Sequence, residues 1–129
     1  MFPACLNESE KVTDGQGHIP AVEDISSAQA NRLIADNKEN PDFVILDIRT
    51  PQEYRQGHIS GSVNLDFYSP DFEHSIMNLD KDKILLIYCR SGNRSGRALG
   101  ILEGKGFSRV YHLSNGIIEW SREGLPLVR

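Results

Sequence analysis

The chain has 129 residues, 39% of them hydrophobic and 25% charged, with 18 acidic against 14 basic side chains and a net charge of -4. That length can bury one adequate core without a metal or disulfide framework, and the acidic balance argues against a nucleic-acid binder with a broad basic face. No apolar stretch approaches the roughly 20 residues of a membrane span, so the expectation is one globular domain that acts as a monomer.

Residues 1–18 are polar, with Gly15 and Gly17 and little apolar pattern, and read as a flexible N-terminal arm ahead of a domain over 19–129. Ile19 to Ile25 suits a short edge strand. Ser26 with Gln29 three residues on is a capping-box signature, opening a helix that sets Ala30, Leu33 and Ile34 on one face and ends by Asn37–Pro41. Phe43 to Ile48 reads as a first central strand, buried on both faces. Pro51 starts a short helix over Gln52–Arg55, and Gly57 and Gly61 bracket a loop before a brief strand at Val63 and Leu65. A helix follows over Pro70–Met77.

The five-residue apolar run Ile84–Tyr88 is the clearest strand, and Cys89 stands where it gives way to Arg90-Ser91-Gly92-Asn93-Arg94-Ser95-Gly96-Arg97. A helix over Ser95–Glu103 comes next, stopped by Gly104 and Gly106. Arg109–Leu113 is a further strand, and Asn115–Arg122 a last helix with Ile117, Ile118 and Trp120 as core contacts. Strands alternating with helices at this spacing give an α/β fold of three layers: a central parallel sheet with helices on both faces. Ligands of such sheets bind beyond the carboxyl ends of the strands, where Cys89 falls.

A thiol between a strand end and a helix N-terminus meets free backbone N–H groups and the positive end of the helix dipole. Those conditions lower a cysteine's pKa and make it a thiolate nucleophile. From Lys83 to Leu102 the chain carries Lys83, Arg90, Arg94 and Arg97 and no acid, so the partner of Cys89 is expected to be an anion. The N–H groups of residues 90–95 can curl around the sulfur, and Gly92 permits so tight a turn. Arg90 and Arg94 suit an anionic substrate, and Ser91 and Ser95 can offer hydroxyls to the sulfur; for Ser95, capping the helix is an equal alternative. Asn93 completes the binding loop.

The other cysteine, Cys5, lies in the arm, neither belongs to a C-x-x-C pair, and no His/Cys cluster has zinc spacing, so no metal or cofactor is expected. His18, His74 and His112 lack companions at ligand spacing and read as surface or packing residues. The Gly92–Gly96 stretch lacks a Walker pattern and its lysine, which argues against nucleotide binding. With no basic segment leading into an apolar core at the N-terminus, the expected location is cytoplasmic. An exported or lipid-anchored form, through Cys5, is the alternative.

Asp47-Ile48-Arg49 with Glu53-Tyr54, then Gly57-His58-Ile59 and Gly61-Ser62-Val63-Asn64, resembles the N-terminal signature of the rhodanese domain family. Tyr88 to Ser95 resembles that family's active-site loop. Gly106-Phe107, Val110-Tyr111, Leu113, Gly116 and Trp120 resemble its C-terminal pattern. The resemblance covers about residues 19–125 and implies a rhodanese-like sheet of about five strands. It also implies sulfur transfer: Cys89 takes sulfane sulfur from thiosulfate or another anionic donor, holds it as a persulfide, and passes it to cyanide, a small thiol or a thioredoxin-like acceptor. Cys89 to Arg94 is C-x4-R, resembling sulfurtransferases, whereas related phosphatases and arsenate reductases resemble the wider C-x5-R. A persulfide carrier or interaction module loaded by a protein partner is the second reading.

Near this loop, Arg49 and Glu53 are expected to form an ion pair that fixes the turn after the first central strand, with Asp47 bonding nearby backbone. His58 is expected to make a structural hydrogen bond.

Overall fold

The computed structural model of the protein describes residues 21–129; the arm, Cys5 and His18 lie outside the described residues. In chain order the elements are β1 (Val22–Ile25), α1 (Ser27–Asp36), β2 (Phe43–Asp47), α2 (Pro51–Arg55), β3 (Val63–Asn64), α3 (Phe72–Met77), β4 (Ile84–Tyr88), α4 (Asn93–Gly104), β5 (Val110–Leu113) and α5 (Gly116–Arg122). The five strands form one parallel sheet in the order β1-β5-β4-β2-β3. Among the described residues β1 lies at one edge of the sheet, as expected for the strand read over Ile19–Ile25, of which Ile19 and Pro20 lie outside the described residues, and β4 is central. No described helix is long and apolar enough to cross a membrane.

Alternation along β4 sorts the core into two layers, because successive side chains of a strand point to opposite faces. Leu85 and Ile87 pack with Phe72 and Ile76 of α3 and with Ala98 and Leu102 of α4. Leu86 and Tyr88 pack on the other face with Ala30 of α1 and with Ile117 and Trp120 of α5. Cys89 continues the odd-numbered series and faces α4. Trp120 is buried in its layer, its Nε1–H donating to Pro126 O at 2.9 Å.

The caps explain where the helices begin. Ser26 Oγ accepts from Gln29 N at 3.2 Å while Gln29 Oε1 accepts from Ser26 N at 2.8 Å, the reciprocal box its sequence announces. Thr50 and Glu53 form a second such box at α2, with Pro51 at the first position. Helix α4 starts at Asn93, two residues before the sequence-based expectation, because Gly92 takes a left-handed φ of +100° and serves as its N-cap.

Candidate active site

At the carboxyl end of β4 the chain turns through Arg90–Gly92 and enters α4, so the sulfur lies against the first turn of a helix. Gly92 N donates to Cys89 Sγ at 3.2 Å and Ser95 N at 3.3 Å, and the Ser95 hydroxyl lies 3.4 Å from the sulfur. Burial by itself pushes this thiol's pKa up. The Ser95 hydroxyl and the N–H groups of Ser95, Gly92 and Ser91 outweigh it, and the net shift is downward. Cys89 is 0% exposed, so the anion these groups favour is held inside the protein.

The turn is clasped from behind by the segment after β5. Ile117 N donates to Cys89 O at 3.0 Å and Ile118 N to Arg90 O at 3.1 Å. Both flanking glycines are forced. A Cβ on Gly92 would overlap the Ser114 carbonyl, and one on Gly116 (φ +69°) would overlap that of Arg90. The side chains of Arg90, Ser91 and Asn93 are exposed around this backbone frame.

Arg94 is not an unpaired cation. Its Nη1 and Nη2 donate to Glu53 Oε1 and Oε2 at 2.8 and 2.9 Å, a bidentate pair across 41 residues of sequence, and its guanidinium stands over the Tyr68 ring. The expected Arg49–Glu53 ion pair is therefore corrected. Glu53 is turned back by its capping role, accepting from Thr50 N at 3.0 Å, which aims its carboxylate at Arg94. Arg49 binds Asp47 instead, through Nη2–Oδ2 at 2.7 Å and Nε at 3.1 Å, and also donates to Gly57 O at 2.7 Å. Asp47 accepts from Arg49 N as well, the nearby backbone bond its sequence context suggested.

The Arg94 hydrogen bond foremost, aided by Thr50, holds the Glu53 carboxyl down to about 2, against an ordinary 4.5, despite partial burial. A carboxylate depressed on folding adds stability that is complete above its unfolded value and is lost as pH falls through its folded one. Glu53→Gln is therefore expected to lower stability at neutral pH and to flatten the stability–pH curve between about 4.5 and about 2. Urea unfolding of both proteins across that range measures this; parallel curves would remove Glu53 from the account.

His58 donates through Nδ1 to Tyr54 O at 2.8 Å and stacks on the Tyr54 ring at 3.6 Å. Its backbone pairs with that of Val128 in both directions, tying the C-terminal segment to this loop.

Two residues on this face, His112 and Asp24, were not among the candidates read from the sequence. His112, read there as a surface or packing residue, is buried, with Nε2 2.7 Å from Ser95 Oγ and Nδ1 3.0 Å from Asp24 Oδ1. Ser95 lies inside the first turn of α4 and does not cap it; its hydroxyl is committed to Cys89 and His112. The signal was the strand parity. Val110 packs in the Cys89 layer, so His112, two residues on, shares that face. Among the described residues no three His, Cys, Asp or Glu side chains gather as a metal site.

A buried thiol whose pKa is shifted down, with the Gly92 and Ser95 N–H groups aimed at its sulfur, meets the conditions under which a cysteine can act as a nucleophile. Residues 26–123 match the rhodanese-like domain, and the chain belongs to that family. It is 39% identical over 107 residues to a sulfurtransferase of Allochromatium vinosum, covering 83% of this chain and 95% of that protein. It is 42% identical over 97 residues to the thiosulfate sulfurtransferase GlpE of Pseudomonas entomophila, covering 74% and 82%. A crystal structure of a rhodanese-related protein from Thermoplasma volcanium superposes with a TM-score of 0.67 at 29% identity, over 82% of this chain and 97% of that one.

Proposed function

We propose that the protein is a sulfurtransferase that moves sulfane sulfur from thiosulfate or a similar anionic donor to a thiophilic acceptor through a persulfide on Cys89. The observation that carries this is the buried Sγ accepting from Gly92 N and Ser95 N at 3.2 and 3.3 Å, with the Ser95 hydroxyl 3.4 Å away. These donors are in place before any reaction and suit an anion in both halves of the cycle. In the first half the Cys89 thiolate attacks the outer sulfur of thiosulfate. A new S–S bond forms, the bond to the sulfonate sulfur breaks, and sulfite leaves with the electron pair as a dianion. In the second half cyanide, a small thiol or a thioredoxin-like thiolate attacks the outer persulfide sulfur and restores the thiolate. With cyanide the product is thiocyanate, and charge balances in both halves.

Both leaving groups depart as anions, so neither step asks for a proton donor at the leaving atom. Exposed Arg90 can draw an anionic donor toward the loop, while the Arg94 guanidinium, paired with Glu53, is near enough to interact with the Cys89 charge. The C-x4-R loop favours this chemistry over phosphate or arsenate handling, which the resembling domains carry out on a loop one residue longer.

Intact mass spectrometry after incubation with thiosulfate, then cyanide, tests the cycle. Wild type is expected to gain the mass of one sulfur atom, about 32 Da, and lose it to cyanide, while Cys89→Ser gains nothing. Gain by Cys89→Ser would overturn the assignment. No gain from thiosulfate, with gain from a cysteine desulfurase, would favour the partner-loaded persulfide carrier.

A further inference from the structure

The sulfur of Cys89 is buried, and the groups that bond it differ in kind. The Gly92 and Ser95 N–H groups can only donate. The Ser95 hydroxyl can accept a proton and pass one on. From Ser95 the contacts run to His112 Nε2 at 2.7 Å and from His112 Nδ1 to Asp24 Oδ1 at 3.0 Å, where the Asp24 side chain is 67% exposed.

Strand register builds this line. Asp24 of β1 pairs with His112 of β5, and His112 with Ile87 of β4, two residues before Cys89. All four positions lie on the face covered by α4, whose third residue is Ser95. The β4 neighbour Ile87 is apolar, and on α4 a Cβ added at Gly96 would lie 3.9 Å from the imidazole Cε1. Arg94, whose charge interacts with Cys89, is paired with Glu53.

We propose that Ser95, His112 and Asp24 form a proton relay that takes the thiol proton of Cys89 and holds the resulting thiolate opposite a His112 imidazolium. This rests on Cys89 being the nucleophile and makes His112 and Asp24 positioning residues that act through Ser95. An ionised Asp24 only accepts, so Nδ1 carries the imidazole proton and Nε2 offers its lone pair. Ser95 then donates to Nε2, leaving its oxygen to accept the S–H. In the transfer the thiol proton passes to Ser95 Oγ while the former Ser95 proton passes to Nε2. One neutral thiol and one neutral imidazole become one thiolate and one imidazolium, and the serine is unchanged. The imidazolium faces the Asp24 carboxylate, and Asp24 opens the buried line to water.

The ultraviolet thiolate band near 240 nm, taken as the difference from Cys89→Ser and followed against pH, tests the relay on the full chain. His112→Gln is expected to leave about fivefold less Cys89 thiolate at pH 7, and Asp24→Asn about twofold less because that carboxylate is exposed. Ser95→Thr, which keeps the hydroxyl, should titrate as wild type. In a Ser95→Ala background, adding His112→Gln should change nothing further. An unmoved band in His112→Gln and Asp24→Asn would overturn the relay; should His112→Gln fail to fold, the surface variant Asp24→Asn decides alone. The band reports charge and not sulfur transfer, so the relay can fail while persulfide loading stands. A shifted band without persulfide loading would uphold the relay and remove the sulfurtransferase reading.

Discussion

Arg49→Ala is expected to destabilise the protein by about 3–5 kcal/mol, the cost of leaving a buried charge without its partner. The Asp47 side chain is 0% exposed, and it loses both the Nη2 and Nε bonds of Arg49 in that variant. The same change frees Gly57 O, so the loop carrying His58 loses an anchor. Against a typical total of about 5–15 kcal/mol this is a large fraction, and the melting temperature should fall by more than about 10 °C. Urea denaturation gives the free energy. The double variant Asp47→Asn, Arg49→Ala should recover part of the loss, since it removes the stranded charge. A single-variant loss below about 1 kcal/mol would mean that water or another group takes over the carboxylate.

Gly92→Ala should be the most damaging single change to sulfur loading short of removing Cys89. The residue sits at φ +100°, where an L side chain is strained, and its Cβ would run into the Ser114 backbone and not into a movable side chain. The turn must shift, carrying with it the Gly92 N–H that donates to Sγ. Loss of one such donor from a preorganised anion site costs about a hundredfold or more in rate. Persulfide formation from thiosulfate, followed by mass against time, is expected to slow by at least that factor. Gly100→Ala, in open space in the middle of α4, is the control: unchanged loading and slightly higher stability, by about 0.5–1 kcal/mol. Equal loading by Gly92→Ala and wild type would show that the loop tolerates a shift of its own backbone.

The parts of this molecule written in local patterns could be read before any coordinates. The five apolar residues Ile84–Tyr88, rich in Ile and Leu and bounded by polar turns, read as a central strand because a strand buried on both faces carries such a run. Ser26 and Gln29 announce their helix because capping is settled within four residues. What escaped was pairing over long separations. Arg49 and Glu53 look like natural partners at four residues' distance, yet the helix between them begins at Pro51, and Glu53 serves its cap and Arg94 instead. His112 lies 17 residues from Ser95 and 88 from Asp24. Its face followed from alternation, but its partners follow from sheet order, with β5 placed between β1 and β4. Ser95 was left between two roles because the helix start depended on the conformation of one glycine.

The grip on the sulfur is made by main-chain N–H groups, and the turn is braced by carbonyls of Cys89 and Arg90 seated on α5. Neither function uses the side chains of Arg90, Ser91 or Asn93, which face solvent around the loop. The groups that hold the sulfur and those that face an incoming molecule are thus separate. Substitution at those three positions leaves the main-chain hydrogen bonds to the sulfur in place. The two clasped glycines, whose neighbours are backbone, have no second-site change that could relieve a side chain placed there. Side-chain change is thus free at the rim and obstructed at the socket beneath it.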